Sequence, residues 1–245
     1  MTSKVELVSV VIPTLNEAGN ILEAVNTIHK ELAYPNEIIV VDGNSTDGTL
    51  ELVKDTSFCR LIIEPRRGYG IALRTGMKNA KGNIIVMVDG DGTYEVKHIN
   101  RLVERMLEKD ADMVLATRMF DPKKAMGFTN FIGNKIITLV YDFFYSQLLS
   151  DTQSGFRAIS HECIDKVPLV EGDMAFATEM LVQFAKVGYN MVEIPTTYKP
   201  RKYGQTKLKP FKSGIEIFST IFKGFLDADT VRTCQKHWRE NRLKR

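Results

Sequence analysis

The chain is predicted to fold as an α/β domain on a mainly parallel, doubly wound sheet with helices on both faces. Three observations point there. Short β-branched runs alternate with amphipathic segments through the first half. Ile84 to Val88 is a nearly all-apolar run, as expected for a strand covered on both faces. The polar residues sit at the carboxyl ends of the predicted strands, where sheets of this kind bind ligands. A length of 245 residues, 44% of them hydrophobic and 26% charged, is ordinary for one large globular domain.

Taken in order, Val8 to Ile12 reads as a strand and Asn20 to Leu32 as a helix. Glu37 to Val41 is a second strand, followed by a helix from about Asp47 to Lys54. Arg60 to Ile63 is a weaker third strand, with Tyr69 to Asn79 helical after it. Strand Ile84 to Val88, helix Lys97 to Glu108 and strand Met113 to Ala116 continue the series. The second half changes character. Asn130 to Gln147 carries a polar stripe at spacing four (Asn130, Asn134, Thr138, Asp142, Ser146) amid apolar residues. A helix this apolar is either buried or lies against lipid. A helix near Ala175 to Lys186 follows, then a strand ending at Ile194-Pro195, a basic loop from Tyr198 to Lys209, and an amphipathic stretch from Phe211 to Leu226.

The three cysteines (Cys59, Cys163, Cys234) share no metal-ligand spacing and suggest no disulfide framework, which fits a reducing, cytoplasmic setting. The opening apolar run is too short for a signal peptide. No apolar stretch reaches the roughly 18 to 20 residues of a spanning helix. The net charge of +3 is unevenly spread: from Lys199 onward there are 13 Lys+Arg against 4 Asp+Glu. That basic end suggests an anionic partner. The expected division is a catalytic domain over residues 1–210 and an amphipathic, basic, membrane-associating segment over 211–245.

The chemistry is most legible at Asp89-Gly90-Asp91, directly after the buried fourth strand. Two carboxylates separated by one residue at a strand end can jointly hold Mg²⁺ or Mn²⁺ and the sugar phosphate bound to it. Gly90 lets the backbone approach a ligand. Asp42 ends the second strand, and with Thr46 or Asp47 capping the next helix it is left to accept from a base N–H or ribose hydroxyl. Gly68-Tyr69-Gly70-Ile71-Ala72-Leu73 starts like a dinucleotide fingerprint, but Leu73 takes the third glycine's place and the first strand does not precede it. No P-loop occurs, and nothing points to nucleic acid.

Together these residues resemble family-2 glycosyltransferases of the GT-A fold over roughly residues 5 to 210. Val10 to Glu17 is similar to the family's opening strand and base-binding loop, and Val41 to Thr49 to its VDDxSxDGT segment, with Gly43 replacing a second aspartate. Asp89-Gly90-Asp91 is similar to the family's DxD, whose acids bind the metal–diphosphate. The resemblance implies nucleotide-sugar binding by Pro13, Leu15, Glu17, Val41, Asp42, Asp89, Gly90 and Asp91. The second half resembles dolichol-phosphate mannose synthases and other polyprenyl-phosphate glycosyltransferases. Thr117-Arg118 resembles the SR whose arginine contacts phosphate, Asp151 to Arg157 the D-x-x-SGF-R element, and Tyr198 to Leu208 the R-x-x-G-x-S-K-L loop, with Thr206 for serine. Gly92-Thr93-Tyr94 departs from the mannose synthase continuation, which leaves the sugar open and favours a uridine-linked donor.

A polyprenyl phosphate is dianionic and already nucleophilic, so the site needs cations more than a base. Arg118, Arg201 and Lys207 suit that task, with Ser154 and Arg157 from the SGF-R element. Glu179 lies where many members place the acceptor-side acid, and equally reads as an ordinary helix glutamate. The resulting expectation is inverting transfer from a UDP-sugar or GDP-mannose to dolichyl or other polyprenyl phosphate, for glycan assembly. Asp91, Arg118 and Glu179 are the catalytic candidates and Asp89 and Asp91 the metal ligands. The expected setting is peripheral, on the cytoplasmic membrane face, with oligomerisation open. A sugar nucleotidyltransferase and a non-catalytic binding protein of the same fold remain as alternatives.

Overall fold

The computed structural model describes residues 4–119, 126–201, 203 and 210–226, with side chains of the last stretch from residue 213. The strands are β1 (Val8–Thr14), β2 (Asn36–Asp42), β3 (Cys59–Ile63), β4 (Ile84–Met87), β5 (Met113–Thr117), β6 (Arg157–Ser160) and β7 (Met191–Pro195). The α-helices are α1 (Ile21–Glu31), α2 (Thr49–Lys54), α3 (Tyr69–Asn79), α4 (Ile99–Glu108), α5 (Phe128–Tyr145), α6 (His161–Asp165), α7 (Phe176–Val187) and α8 (Pro210–Leu226). One seven-stranded sheet runs β3-β2-β1-β4-β6-β5-β7. Side chains alternate across it. Val11, Ile39, Val41, Ile85 and Met87 enter the core on one face. Val10, Ile12, Ile38, Val40 and Val86 enter the core on the other. That double burial is why the strands read as continuous apolar runs.

The sheet is parallel except at β6, which pairs antiparallel with both β4 and β5. The sequence reading contains no such strand. Its four residues are too short to show a period, and two of them, Arg157 and Ser160, are polar. The reversal matters for function, because Arg157 aligns with Met87 of β4 and Leu115 of β5. The turn leading into β6 therefore arrives at the edge where β4 and β5 end.

Helix α5 buries part of its polar stripe together with Ile137, Tyr141 and Tyr145, and leaves a large apolar face exposed. Asn134 and Thr138 of its polar stripe are buried, whereas Phe128, Leu139 and Phe143 are 79%, 67% and 80% exposed. The inward polar face has partners: Asn134 Nδ2 donates to Asp151 Oδ1 at 2.7 Å, and Thr138 Oγ1 lies 2.9 Å from Thr152 Oγ1. The segment 211–245 does not begin as a separate unit. Its helical part belongs to α8, which packs against α5 and α7. Ile217 and Ile221 join the main core, and Tyr145 Oη donates to the Ile221 carbonyl. Residues 227–245 lie outside the described part. No helix among the described residues is long and apolar enough to cross a membrane.

Candidate active site at the strand ends

Two loops at the ends of β1 and β2 are knitted into one. Asn16, in the left-handed region at φ 55, donates its N–H to Ser45 Oγ and accepts the Thr46 N–H at Oδ1. Glu17 N–H donates to Thr49 Oγ1, and Ala18 N–H to Asp47. Pro13 and Leu15 are part-exposed along this loop, while Val41 is buried beneath it.

Asp42 departs from its expected role. It is fully buried, and its carboxylate accepts Thr14 Oγ1 at 2.9 Å and both Ser45 N–H and Oγ at 2.7 Å. Its oxygens are spent on anchoring the loop rather than presented to a base or ribose. Gly90 is also needed for a different reason than expected. A Cβ there would lie 2.9 Å from Thr14 Cγ2 and 3.1 Å from Ile12 Cγ2, so the protein's own packing demands the glycine.

The two acids after β4 differ in their surroundings. Asp91 Oδ1 accepts the N–H and Oγ1 of Thr93 at 3.0 and 2.6 Å, and Oδ2 accepts Arg201 Nη2 at 2.8 Å. Asp89 Oδ1 accepts Tyr69 Oη at 2.9 Å. Burial first, and then the charge of Asp91, push the Asp89 carboxyl up from the ordinary range. Two like charges held together in a sheltered place suit a divalent cation. Among the described residues no cluster of three or more His, Cys, Asp or Glu is arranged around a metal. The two carboxylates offer the oxygen donors that a hard cation takes.

Arg201 crosses the site. Besides Asp91 it donates through Nη1 to Glu17 Oε1 at 2.8 Å. The loop beyond β7 is held in place by Lys199 N–H to the Thr93 carbonyl at 2.7 Å and by the isolated bridge Tyr94↔Tyr198. The described start of the basic loop, residues 198–201, is thus built onto the DxD segment and the β1 loop together. Lys207 lies outside the described residues.

Arg118, at the end of β5, donates Nε and Nη2 to Asp151 at 2.7 and 2.8 Å, and its guanidinium carbon lies 5.5 Å from the Tyr198 ring centroid. Burial works against its charge, but Tyr94 and Asp151 hold it protonated. Among the described residues, the fork on Asp151 uses Nε and Nη2 and not Nη1. Ser154 and Arg157, expected at the acceptor phosphate, both have partners within the protein. Ser154 is fully buried, with Oγ donating to the Ala116 carbonyl at 2.6 Å. Arg157 is fully buried as well, and donates to the carbonyls of Ser154, Ala177 and Thr152 at 2.9, 2.7 and 3.0 Å. Glu179, at the start of α7, accepts the N–H groups of Val170 and Glu171, so it braces that segment. Its burial raises its pKa.

Three groups were not singled out from the sequence: Tyr69 on Asp89, Tyr94, and Asp151. Tyr94 Oη accepts the Gly155 N–H at 3.0 Å and tilts its ring onto Phe156. Asp151 is the fully buried partner of Arg118 and Asn134.

Residues 9–167 match the family described as Glycosyl transferase family 2. The chain is 33% identical over 221 residues to the glycosyltransferase AglJ of Haloferax volcanii, covering 89% of this chain and 72% of that protein. It is 29% identical over 222 residues to the dolichyl-phosphate hexose transferase of the same organism, covering 89% and 94%. Among solved structures, glucosyl-3-phosphoglycerate synthase from Mycobacterium tuberculosis, in complex with Mn²⁺, UDP and phosphoglyceric acid, superposes with a TM-score of 0.72 at 21% identity, over 90% of this chain and 78% of that one. That likeness shows the fold, which is GT-A. The chain belongs to glycosyl transferase family 2 and is a glycosyltransferase, so the nucleotidyltransferase and non-catalytic alternatives fall away.

Proposed function

We propose that this family member moves a hexose from a nucleotide sugar, with a uridine-linked donor favoured, to a polyprenyl phosphate such as dolichyl phosphate. The observation that carries the reading is the reach of Arg201. One side chain from the loop resembling the acceptor element touches both Asp91 of the DxD and Glu17 of the base-binding loop. Acceptor phosphate and donor diphosphate would therefore meet at one point. The UDP and Mn²⁺ complexes of the structural neighbour support the donor side, and the name of the Haloferax dolichyl-phosphate hexose transferase supports the acceptor.

Asp89 and Asp91 would hold Mg²⁺ or Mn²⁺, which would supply neutralisation of the departing diphosphate. The protein supplies the rest. Glu17 and the loop at residues 13–17 bound the nucleoside end. Arg201 leaves Asp91 Oδ2 when the donor arrives and becomes a cation for phosphate. Arg118 offers Nη1 while Asp151 fixes its plane, and Lys207 joins from the same basic loop. The lipid phosphate oxygen attacks the anomeric carbon, the bond from that carbon to the diphosphate breaks, and its electrons stay on the leaving oxygen. No proton has to move, so Glu179 need not act as a base. A single displacement inverts the anomeric centre. Nuclear magnetic resonance of the released sugar phosphate is expected to show the opposite configuration to the donor, and retention would refute the mechanism.

The prenyl chain needs an apolar surface. The exposed stripe of α5 (Phe128, Ile132, Ile136, Leu139, Phe143) lies beside that of α8 (Ile215, Phe222, Leu226), with Phe144 and Phe222 in edge contact. We read this face as resting in the membrane interface, with the basic C-terminal residues on anionic headgroups. Leu139→Asp with Phe143→Asp is expected to lower binding to anionic vesicles about tenfold or more at constant salt, since each buried side chain contributes on the order of 1.5–3 kcal/mol. Sedimentation with vesicles reads this directly, and unchanged binding would remove the apolar face from the account.

A further inference from the structure

Gly68-Tyr69-Gly70 fails as a dinucleotide fingerprint, yet the structure uses all three residues. Gly68 sits before α3 in the left-handed half of backbone space, at φ 147, and a Cβ on it would stand 2.2 Å from the Gly172 carbonyl oxygen. Gly70 is pressed against the same segment, and its Cβ would lie 2.6 Å from Phe176 Cβ and 2.7 Å from the Glu171 oxygen. Ile71 N–H donates to the Gly172 carbonyl at 3.1 Å. The two glycines thus let the first turn of α3 dock flush on the 171–176 segment, and the side chain between them is carried to the end of β4.

There Tyr69 Oη donates to Asp89 Oδ1 at 2.9 Å. The other oxygen, Oδ2, has no hydrogen bond among the described residues. Gly155, from the turn before β6, packs against the pair. A Cβ at 155 would come within 2.9 Å of both Tyr69 Oη and Asp89 Oδ2. Gly155 itself is fixed by its N–H on Tyr94 Oη at 3.0 Å. Asp89 is therefore held by one neutral donor in a slot kept free of side chains.

We propose that Tyr69 is a positioning residue of the donor site, whose hydroxyl fixes one oxygen of Asp89 so that the other is presented to the metal-bound diphosphate sugar. This rests on the metal and donor reading above. A hydroxyl tied to Oδ1 removes the free rotation that would let the carboxylate turn away. It is lost without change of shape in Tyr69→Phe. A ring that merely packs would tolerate that change, but not Tyr69→Leu.

The test uses the full chain and Mn²⁺ with UDP or with GDP, whichever nucleotide the wild type retains, followed by the electron paramagnetic resonance of bound Mn²⁺. Tyr69→Phe is expected to weaken Mn²⁺–nucleotide binding about tenfold, the scale of one hydrogen bond to a charged group. The donor KM should rise with it, while the acceptor KM and the melting temperature stay put. Tyr69→Leu should add little to that loss of affinity. If Tyr69→Phe binds Mn²⁺–nucleotide like wild type and only Tyr69→Leu is defective, Tyr69 is a packing residue and the proposal is overturned. Asp91→Asn is the control on the underlying reading. If it too binds like wild type, these acids do not hold the metal, and the proposal falls with that reading. If it loses binding while Tyr69→Phe does not, the proposal fails alone.

Discussion

Asp91→Asn is expected to cut sugar transfer by about 10³-fold while the protein stays folded. The two carboxyl oxygens of Asp91 have separate tasks. Oδ1 receives Thr93 N–H and Oγ1 and so closes the turn, and Oδ2 faces Arg201. An asparagine keeps an acceptor for Thr93, so the turn survives. What disappears is the negative charge on the side that faces the site. A metal that neutralises a departing diphosphate is worth several kcal/mol of transition-state stabilisation, which converts to the stated loss. The fold should persist in a melting scan, since asparagine keeps an acceptor for Thr93 and Arg201 keeps its bond to Glu17. Excess Mn²⁺ should restore part of the rate if weakened metal binding is the cause. Full activity of the variant in the presence of a chelator would exclude the metal reading.

The second large effect is on stability. Asp151→Ala should destabilise the protein by about 3–5 kcal/mol, the cost of removing one partner from a buried ion pair. Asp151 is fully buried and accepts from Arg118 N, Nε and Nη2, from Asn134 and from the Gln153 N–H. Its loss leaves those donors facing each other. For a domain of this size the melting temperature should fall by roughly 10 °C. Burial works against the charge on Asp151, but Arg118 and Asn134 hold its pKa below the ordinary value. Its contribution is therefore present above the ordinary aspartate range and lost as pH falls through the lower folded value. Wild type should accordingly lose part of its margin over the variant on acidification. Equal melting temperatures for the two at neutral pH would show that the pair contributes nothing.

Strands β1, β2 and β4 were legible because each is largely buried and rich in β-branched residues, whereas the part-exposed β3 reads more weakly, and α3 came out at its observed limits. Strand β6 was not legible. Arg157 to Ser160 has no period, and its conformation is set by the slot between β4 and β5. The polar stripe of α5 was visible from Asn130 to Ser146, but its direction was not, since its partners Asp151 and Thr152 lie beyond the helix. At the site, residue type pointed to the right loops but not to the work of each side chain. Asp42 looks available in sequence, yet Thr14 sits beside it in register and Ser45 folds back three residues later. Ser154 and Arg157 are the residue types that bind phosphate, and equally the types that satisfy buried carbonyls. The pairing of Glu17 with Arg201 spans most of the chain, and only the fold could disclose it. Tyr69 had one local signal, its two flanking glycines.

Transfer of labelled sugar into an organic-extractable lipid tests the central claim most directly. Purified protein with Mn²⁺ would receive UDP-glucose, UDP-N-acetylglucosamine or GDP-mannose, each with dolichyl phosphate or with a water-soluble phosphorylated acid such as 3-phosphoglycerate. Label is expected in the lipid phase with dolichyl phosphate and one donor, uridine-linked, and is expected to be lost in Asp91→Asn. Label appearing only on the soluble acid, with none in the lipid phase for any donor, would contradict it.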